Sequence, residues 1–247
     1  MYGPNFTFLG VPACDLDKPE TYKGADVIIV GAPIDSGTSH RSGAKFGPQA
    51  IRMGDYLPHD GERPHLALRI DGLKALKVFD AGDLLMPPGD LTESLRVLRA
   101  ATEKISRAGA IAVVLGGDHS IASADVAGIA DHRGLNKVLD ESFARLTDGC
   151  EGVFLSVDID VVDPGMAPGT GTPEPGGMTS RELLESVRRI CLELPVVGID
   201  VVEVSPPFDS ADITAILANR VVLEAVSAIA KRRSGESYSP TKNLLDR

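Results

Sequence analysis

Hydrophobic residues along the chain form short, nearly continuous runs that alternate with longer segments of helical pattern. The runs over 26–33, 76–79, 110–115, 152–157 and 196–202 are rich in Val and Ile and end near Gly, Asp or Pro, which predicts buried strands. Near-continuous apolar strands are covered on both faces, as in a parallel sheet flanked by helices. The pattern therefore predicts the α/β class, with a mainly parallel sheet in a three-layer αβα arrangement.

The segments between these runs have polar and apolar positions spaced as in helices. We expect a single domain over 1–247, with residues 1–24 as an N-terminal extension and 232–247 as a polar tail. Thr179 or Ser180 suits the N-cap of one helix. Helices are predicted over 91–107, 120–130, 136–146, 180–192 and 213–231.

Composition narrows the possible partners and the compartment. The chain has 247 residues, of which 43% are hydrophobic, and a net charge of −10, which argues against a nucleic-acid or anionic-membrane partner. Cys14, Cys150 and Cys191 form no CxxC pair, a pattern typical of reduced thiols. We find no signal-like N-terminus and no apolar stretch of about 18 residues, and we expect a cytoplasmic protein.

Two polar segments directly follow predicted strands, where ligands collect in open parallel sheets. In GGDHS (116–120), His119 can offer a ring nitrogen to a metal, or instead cap a helix. In SVDIDVVDP (156–164), Asp158 and Asp160 point to the same side and repel each other unless a cation lies between them. An imidazole with two carboxylates suits Mg²⁺ or Mn²⁺. The alternative is a solvated, helix-capping Asp cluster.

Two further segments carry weaker signals. The loop over 167–177 is rich in Gly and Pro, so its backbone can approach a small ligand closely, although a plain surface loop has the same composition. Asp200 and Glu203 lie in GIDVVEVSPP. A carboxylate where that strand ends can bind a cationic group, and an ordinary surface Glu is an equally good interpretation.

Taken together, these segments resemble the ureohydrolase family, which contains arginase, agmatinase and related guanidino-acid hydrolases. The similarity runs from about Phe8 to Lys231, and SHRSG and PEPGG are closer to agmatinase and guanidinobutyrase members than to arginase. The matching segments are GTSHRSGAKFGPQAIR (37–52), LGGDHS (115–120), SVDIDVVDP (156–164), APGTGTPEPGGMTSREL (167–183) and GIDVVEVSPPFD (198–209).

The resemblance implies an arginase-like fold, a homo-oligomer and a two-metal reaction. In the family, a hydroxide that bridges two Mn²⁺ ions attacks the guanidinium carbon and releases urea with an amine. By the same resemblance, His119, Asp158 and Asp160 are metal ligands. Glu203 pairs with the substrate guanidinium through a charge-assisted contact, and Thr172 is a supporting hydroxyl near it.

One family motif is absent from the sequence. The Asp-Ala-His-x-Asp run that supplies the other three ligands is missing, together with the following His-Gly stretch and its proton-shuttling histidine. After Gly134 the chain continues into LNKVLDESFARL, which resembles a much later family helix, so the gap is on the order of 70 residues, or two βαβ units. Asp140 is no substitute, because it lies in a helical pattern without a neighbouring histidine. We expect impaired Mn²⁺ binding.

The gap leaves several hypotheses open. The first is Mn²⁺-dependent hydrolysis of a small cationic guanidino compound, which is agmatine or a guanidino acid. In this hypothesis the gap is an omission from the written sequence, and two consecutive Cα atoms between 133 and 136 would lie farther apart than about 3.8 Å. The second is a true deletion that leaves a pseudoenzyme or assembly partner. A third, weaker one is a single-metal hydrolase that uses His119, Asp158 and Asp160. A deletion would also trim one edge of the sheet and leave strand 153–157 there.

Overall fold

The structure, a computed structural model, describes residues 6–54, 64–65, 67–122 and 151–235. Of the helix predicted over 120–130, only the first residues are described, and there His119–Ile121 form a 3-10 turn. The helix predicted over 136–146 and the junction near 133–136 lie outside the described residues.

Five parallel strands form the central sheet. The two middle pairings join strands from distant parts of the chain, as expected for helical crossovers. A short antiparallel hairpin of β2 (Pro64–His65) and β3 (Ile70–Asp71) lies outside this sheet. The strands of the sheet are β1 (Val27–Ala32), β4 (Val78–Asp83), β5 (Ile111–Gly116), β6 (Val153–Asp158) and β7 (Val196–Val202). Their spatial order is β4-β1-β5-β7-β6.

Helices cover both faces of this sheet. In β1, Val27 and Ile29 belong to one apolar core while Ile28 and Val30 belong to a second core on the other face. The described helices are α1 (Gly47–Met53), α2 (Gly72–Ala75), α3 (Leu91–Arg107), α4 (Ser180–Glu193) and α5 (Ile213–Arg233). Residues of α3 pack in the second core, and those of α1, α4 and α5 in the first. The predicted three-layer α/β fold is therefore confirmed.

The predicted helices over 91–107, 180–192 and 213–231 are present with almost the predicted bounds. Thr179 caps α4 through a capping box, in which its hydroxyl accepts from the Glu182 N–H and the Glu182 carboxylate accepts from the Thr179 N–H. Within the described residues, α5 is long and apolar enough by composition to cross a membrane, but 83% of its most apolar window is buried inside the fold. That burial is typical of a core helix.

The strand predicted over 76–79 is displaced in the structure to Val78–Asp83. Asp80 was expected to end this strand, but the strand continues through it, because the buried Asp80 carboxylate has hydrogen-bond partners there. Its carboxylate accepts from the backbone N–H of Phe8 and Gly82 and from the Arg52 guanidinium, at 2.7 to 2.9 Å. The same ion pair therefore joins β4, α1 and the N-terminal segment.

Strand β6 is the edge of the described sheet, as the resemblance implies. It pairs with β7 alone among the described strands, from Val153 opposite Val196 to Asp158 opposite Val202. Phe154 and Leu155 are half-buried and pack on opposite cores. Both faces of this edge strand, β6, therefore pack against apolar layers.

Asp80→Ala should lower the free energy of unfolding by about 3 kcal/mol, because it leaves the buried Arg52 guanidinium with the partly exposed Asp83 as its one carboxylate partner among the described residues. Chemical denaturation of the purified protein measures this change. Asp15→Ala is the control, because it removes an exposed carboxylate that pairs with the exposed Lys18 and accepts from the Asp17 N–H, and its loss should cost far less stability. Equal losses in the two variants would contradict this account.

Candidate active site

The parallel register brings the ends of three strands to one level. Leu115 of β5 lies opposite Val201 of β7, and Asp158 of β6 lies opposite Val202. The residues that follow these positions therefore emerge side by side at the carboxyl edge of the sheet. We call the group of His119, Asp158, Asp160, Thr172 and Glu203 the strand-end site.

His119 lies between two side chains of β6. Its Nδ1 is 2.9 Å from Asp158 Oδ2, and its Nε2 is 2.9 Å from Ser156 Oγ. Sequence reasoning assigned no role to Ser156, although the alternation of side chains along a strand places it on the same side as Asp158. Both ring nitrogens are thus held by β6, which fixes the orientation of the imidazole.

The two aspartates of the predicted ligand pair lie next to each other. The Asp160 N–H donates to Asp158 Oδ1 at 3.1 Å, and the Thr172 hydroxyl donates to Asp160 Oδ2 at 2.6 Å. Burial, reinforced by the charge of the neighbouring Asp160, raises the pKa of Asp158 to about 7. A bound cation would favour the ionised carboxylate and reverse this shift.

Glu203 faces this pair from the end of β7. It has a left-handed backbone conformation, with φ of 67°, which is strained for a residue with a side chain. Two hydrogen bonds hold it: its N–H donates to Gly117 O at 2.9 Å, and its Oε1 accepts from the His119 N–H at 2.7 Å. Burial is the main cause that raises the pKa of Glu203. Its second oxygen, Oε2, accepts no hydrogen bond from the residues that the structure describes.

Asp118 joins the site to a loop over 37–43 that begins beside it. The buried Asp118 carboxylate accepts from the Gly37 N–H at 2.6 Å and from the Ser120 N–H at 3.0 Å. Gly117 must be glycine here, because a Cβ on it would lie 1.9 Å from the carbonyl oxygen of Ile34. The His119 turn and the 37–43 loop are therefore locked together.

The loop over 164–177 is tied down at several points. The Asp163 carboxylate accepts from the N–H groups of Gly165 and Gly176, and the Gly169 N–H donates to the Thr214 hydroxyl at 2.8 Å. These contacts place Thr172 against Asp160. The segment is therefore an ordered wall of the site, which its composition alone did not show.

The structure brings all five predicted site residues together, while their roles stay predictions. Asp200, the weaker candidate, is fully buried within β7. In the described part of the chain, no three His, Cys, Asp or Glu side chains already form a metal cage. One imidazole and two carboxylates are nevertheless the donor types that Mn²⁺ accepts. The three side chains are therefore of the chemical type expected for one divalent ion, and their role as ligands stays a prediction.

The sequence profile of the arginase family matches residues 25–136 and 130–227 of the chain. The chain belongs to the arginase family. Its similarity extends to proclavaminate amidinohydrolase from Streptomyces clavuligerus, at 30% identity over 288 residues, covering 85% of this chain and 90% of the relative. The solved structure of that enzyme superposes with a TM-score of 0.77 at 28% identity, covering 94% of this chain and 99% of the other.

Two other relatives are similarly close. The mitochondrial guanidino acid hydrolase of Homo sapiens is 30% identical, with 92% of this chain and 86% of the relative covered. Agmatinase from Cronobacter sakazakii is 31% identical, with 85% and 89% covered. These names confirm the resemblance to agmatinase-like and guanidino-acid members, a class of C–N hydrolases that act on linear amidines.

The comparisons also locate residues that the relatives have and this chain lacks. The alignment to proclavaminate amidinohydrolase spans 288 positions, although the chain has only 247 residues. The family profile matches in two pieces that meet at 130–136. The break coincides with the absence of the Asp-Ala-His-x-Asp motif noted after Gly134.

We expect the chain to bind no more than one Mn²⁺ ion, because half of the ligand set is absent. Equilibrium dialysis with elemental analysis measures the ratio of metal to protein. Asp160→Ala should weaken binding at least about tenfold, while Asp163→Ala, which removes a carboxylate bonded only to backbone N–H groups, should not. Two tightly bound ions per chain would contradict the interpretation that the ligand set is incomplete.

The raised pKa of Asp158 predicts a pH effect on stability in the absence of divalent ions. The folded state holds this proton up to about pH 7 whereas the unfolded chain releases it near its ordinary value, so stability falls as the pH rises through that window. Asp158→Asn should therefore gain stability relative to wild type between pH 5 and pH 8, measured by denaturation in chelator. Asp163→Asn is the control, because backbone hydrogen bonds lower the pKa of Asp163, and it should show no such gain.

Proposed function

We propose that this chain hydrolyses a guanidino compound to urea and an amine, with Mn²⁺ as its cofactor. The observation that carries the proposal is the convergence of His119, Asp158 and Asp160 with Glu203 at one edge of the sheet, in a chain of the arginase family. The names of its relatives, which include agmatinase and guanidino acid hydrolase, support the substrate class.

The guanidinium end of such a substrate matches the free side of Glu203. Oε2 of Glu203 lies 3.8 Å from the point where a Cβ on Gly171 would stand, so the loop over 164–177 approaches this oxygen closely. The Thr38 side chain lies 3.5 Å from the same point, and its buried hydroxyl oxygen has no hydrogen-bond partner within the described residues. A guanidinium, with several N–H donors and a positive charge, would satisfy both oxygens.

The remaining residues hold the site in shape for that substrate. A positive charge beside Glu203 would offset the desolvation that raises its pKa. His119, Asp158 and Asp160 would hold a single divalent ion, which supplies Lewis acidity when bound. Thr172 keeps Asp160 oriented toward Asp158. By the same resemblance, we propose a cytoplasmic homo-oligomer.

A second candidate function is binding without hydrolysis, as a pseudoenzyme or assembly partner. The two-piece match of the family profile at 130–136 favours it, since the absent segment carries the other three ligands. The two candidates differ in one measurable result. A non-catalytic chain binds guanidino compounds and releases no urea.

Urea release from agmatine, 4-guanidinobutyrate, 3-guanidinopropionate and guanidine, with and without Mn²⁺, tests the proposal on protein of verified intact mass. Asp160→Ala should abolish release. Glu203→Gln should lower kcat/KM about 10- to 100-fold, mainly through KM, because it loses a charge-assisted contact.

Glu174→Gln serves as the matched control, because Glu174 is an exposed carboxylate on the 164–177 loop and its loss should leave turnover unchanged. Full activity in the Glu203 variant would mean that the guanidinium binds elsewhere. Binding of the four compounds without any urea would favour the second candidate.

A further inference from the structure

A cavity of about 300 Å³ lies at the amino edge of the central sheet, at the opposite end of the strands from the strand-end site. Ile111 and Val196, the first residues of β5 and β7, form part of its wall together with Ile229 of α5. β5 has six residues and spans about 20 Å, so a small ligand in this cavity does not reach His119 beyond the other end of the strand. We call this separate cavity the amino-edge cavity.

The lining of the amino-edge cavity is apolar and basic. Besides apolar residues and a glycine, it contains Ser106, Arg232 and Arg233, and no carboxylate side chain among the described residues. The three wall residues of β5, β7 and α5 are each at most 6% exposed, so they belong to the apolar interior. This lining contrasts with the net charge of −10 of the chain and with the carboxylates of the strand-end site.

The two arginines of the lining differ in what they contact. The Arg233 Nη1 donates to Asp26 Oδ1 at 2.5 Å, and the other oxygen of Asp26 accepts from the Lys77 N–H at 2.9 Å. The Arg232 residue is exposed, and its guanidinium forms no hydrogen bond or ion pair with any residue in the described part of the chain. Arg232 is therefore the cation of this cavity that is open to an anion.

The end of α5 does not need the Arg232 side chain. Basic residues in a last turn can bond the free carbonyl groups of a helix. Here Ala230 O accepts from the Ser234 N–H, Lys231 O from the Ser234 hydroxyl, and Arg232 O from the Gly235 N–H, at 2.7 to 3.2 Å. Backbone and hydroxyl donors thus satisfy these carbonyls, and the cation beside the cavity has no role in capping them.

We propose that the amino-edge cavity binds a small molecule with one carboxylate and an apolar body, anchored by Arg232. A guanidinium can make a two-point contact with a carboxylate, and apolar walls strengthen that attraction by excluding water. The same walls bury the apolar body. A multiply charged anion suits the cavity less well, because Arg233 is already paired and the walls do not solvate charge. The proposal does not rest on the hydrolytic function.

Calorimetric titration of the whole chain with 4-methylpentanoate tests this proposal. The acid should bind in a saturable way, and at least about tenfold more tightly than 4-methylpentanamide, which has the same shape without the charge. Acetate, which has the charge without the apolar body, should also bind more weakly. Arg232→Gln should weaken the acid at least about tenfold and leave the amide unchanged, whereas Arg232→Lys should retain part of the affinity.

Arg107→Gln is the matched control, because it removes the same charge from the end of α3 at a residue that pairs with Glu103 and does not line the cavity. Its affinity for the acid should equal that of wild type. Binding should also persist in Asp160→Ala, which alters only the strand-end site. Absence of saturable binding, equal affinity for acid and amide or for acid and acetate, an unchanged affinity in Arg232→Gln, or loss of binding in Asp160→Ala would each overturn the proposal.

Discussion

The parallel register of β5, β7 and β6 is the constraint on which the site depends. Because the three strands end at the same level, the side chains that follow them must share one small volume. Two of those segments bring carboxylates, and only His119 brings a cationic or neutral nitrogen donor. The fold therefore gathers negative charge at one edge of the sheet and stabilises it only in part.

The stabilisation available within the protein comes from neutral donors. Backbone N–H groups of His119 and Asp160 and the hydroxyl of Thr172 bond the three carboxylates directly. Such donors do not cancel the charge, and burial keeps the pKa values of Asp158 and Glu203 high. The strained backbone at Glu203 is a further cost at the same place. A site held in this way suits the proposed divalent ion or guanidinium group.

The family segment that the sequence lacks affects the predicted chemistry more than the described fold. Apolar cores cover both faces of the described sheet, and the resemblance implies that the absent units lie beyond β6 and not between β1, β5 and β7. Of the predicted metal ligands, those that follow β5 and β6 are present, whereas the motif that the resemblance leads us to expect after Gly134 is not in the sequence. A sheet can lack strands at its edge and keep its fold, whereas a two-metal centre built from neighbouring strands lacks the ligands that those strands would carry.

Particular residues show which features the sequence predicted correctly and which it did not. Continuous Val and Ile runs placed four of the five sheet strands within about two residues. Strand alternation was expected to put Asp158 and Asp160 on one side, but β6 ends at Asp158 and Asp160 lies in the 3-10 turn Ile159–Val161, where its N–H donates to Asp158. The extent of β4 was wrong because the sequence could not show that Arg52, distant along the chain, would pair with a buried Asp80. The helices α1 and α2 and the hairpin of β2 and β3 are too short to leave a periodic signal.

By itself the sequence determined the α/β class and the family, and it predicted the five residues that the structure brings together, because these follow from local pattern and ordered motifs. Only the tertiary structure decided which oxygen of Glu203 accepts from the His119 N–H and that Ser156 bonds the His119 ring. Those facts depend on the meeting of segments far apart in the chain. A one-dimensional pattern records residue types and spacing, but not the directions in which side chains point after the strands have paired.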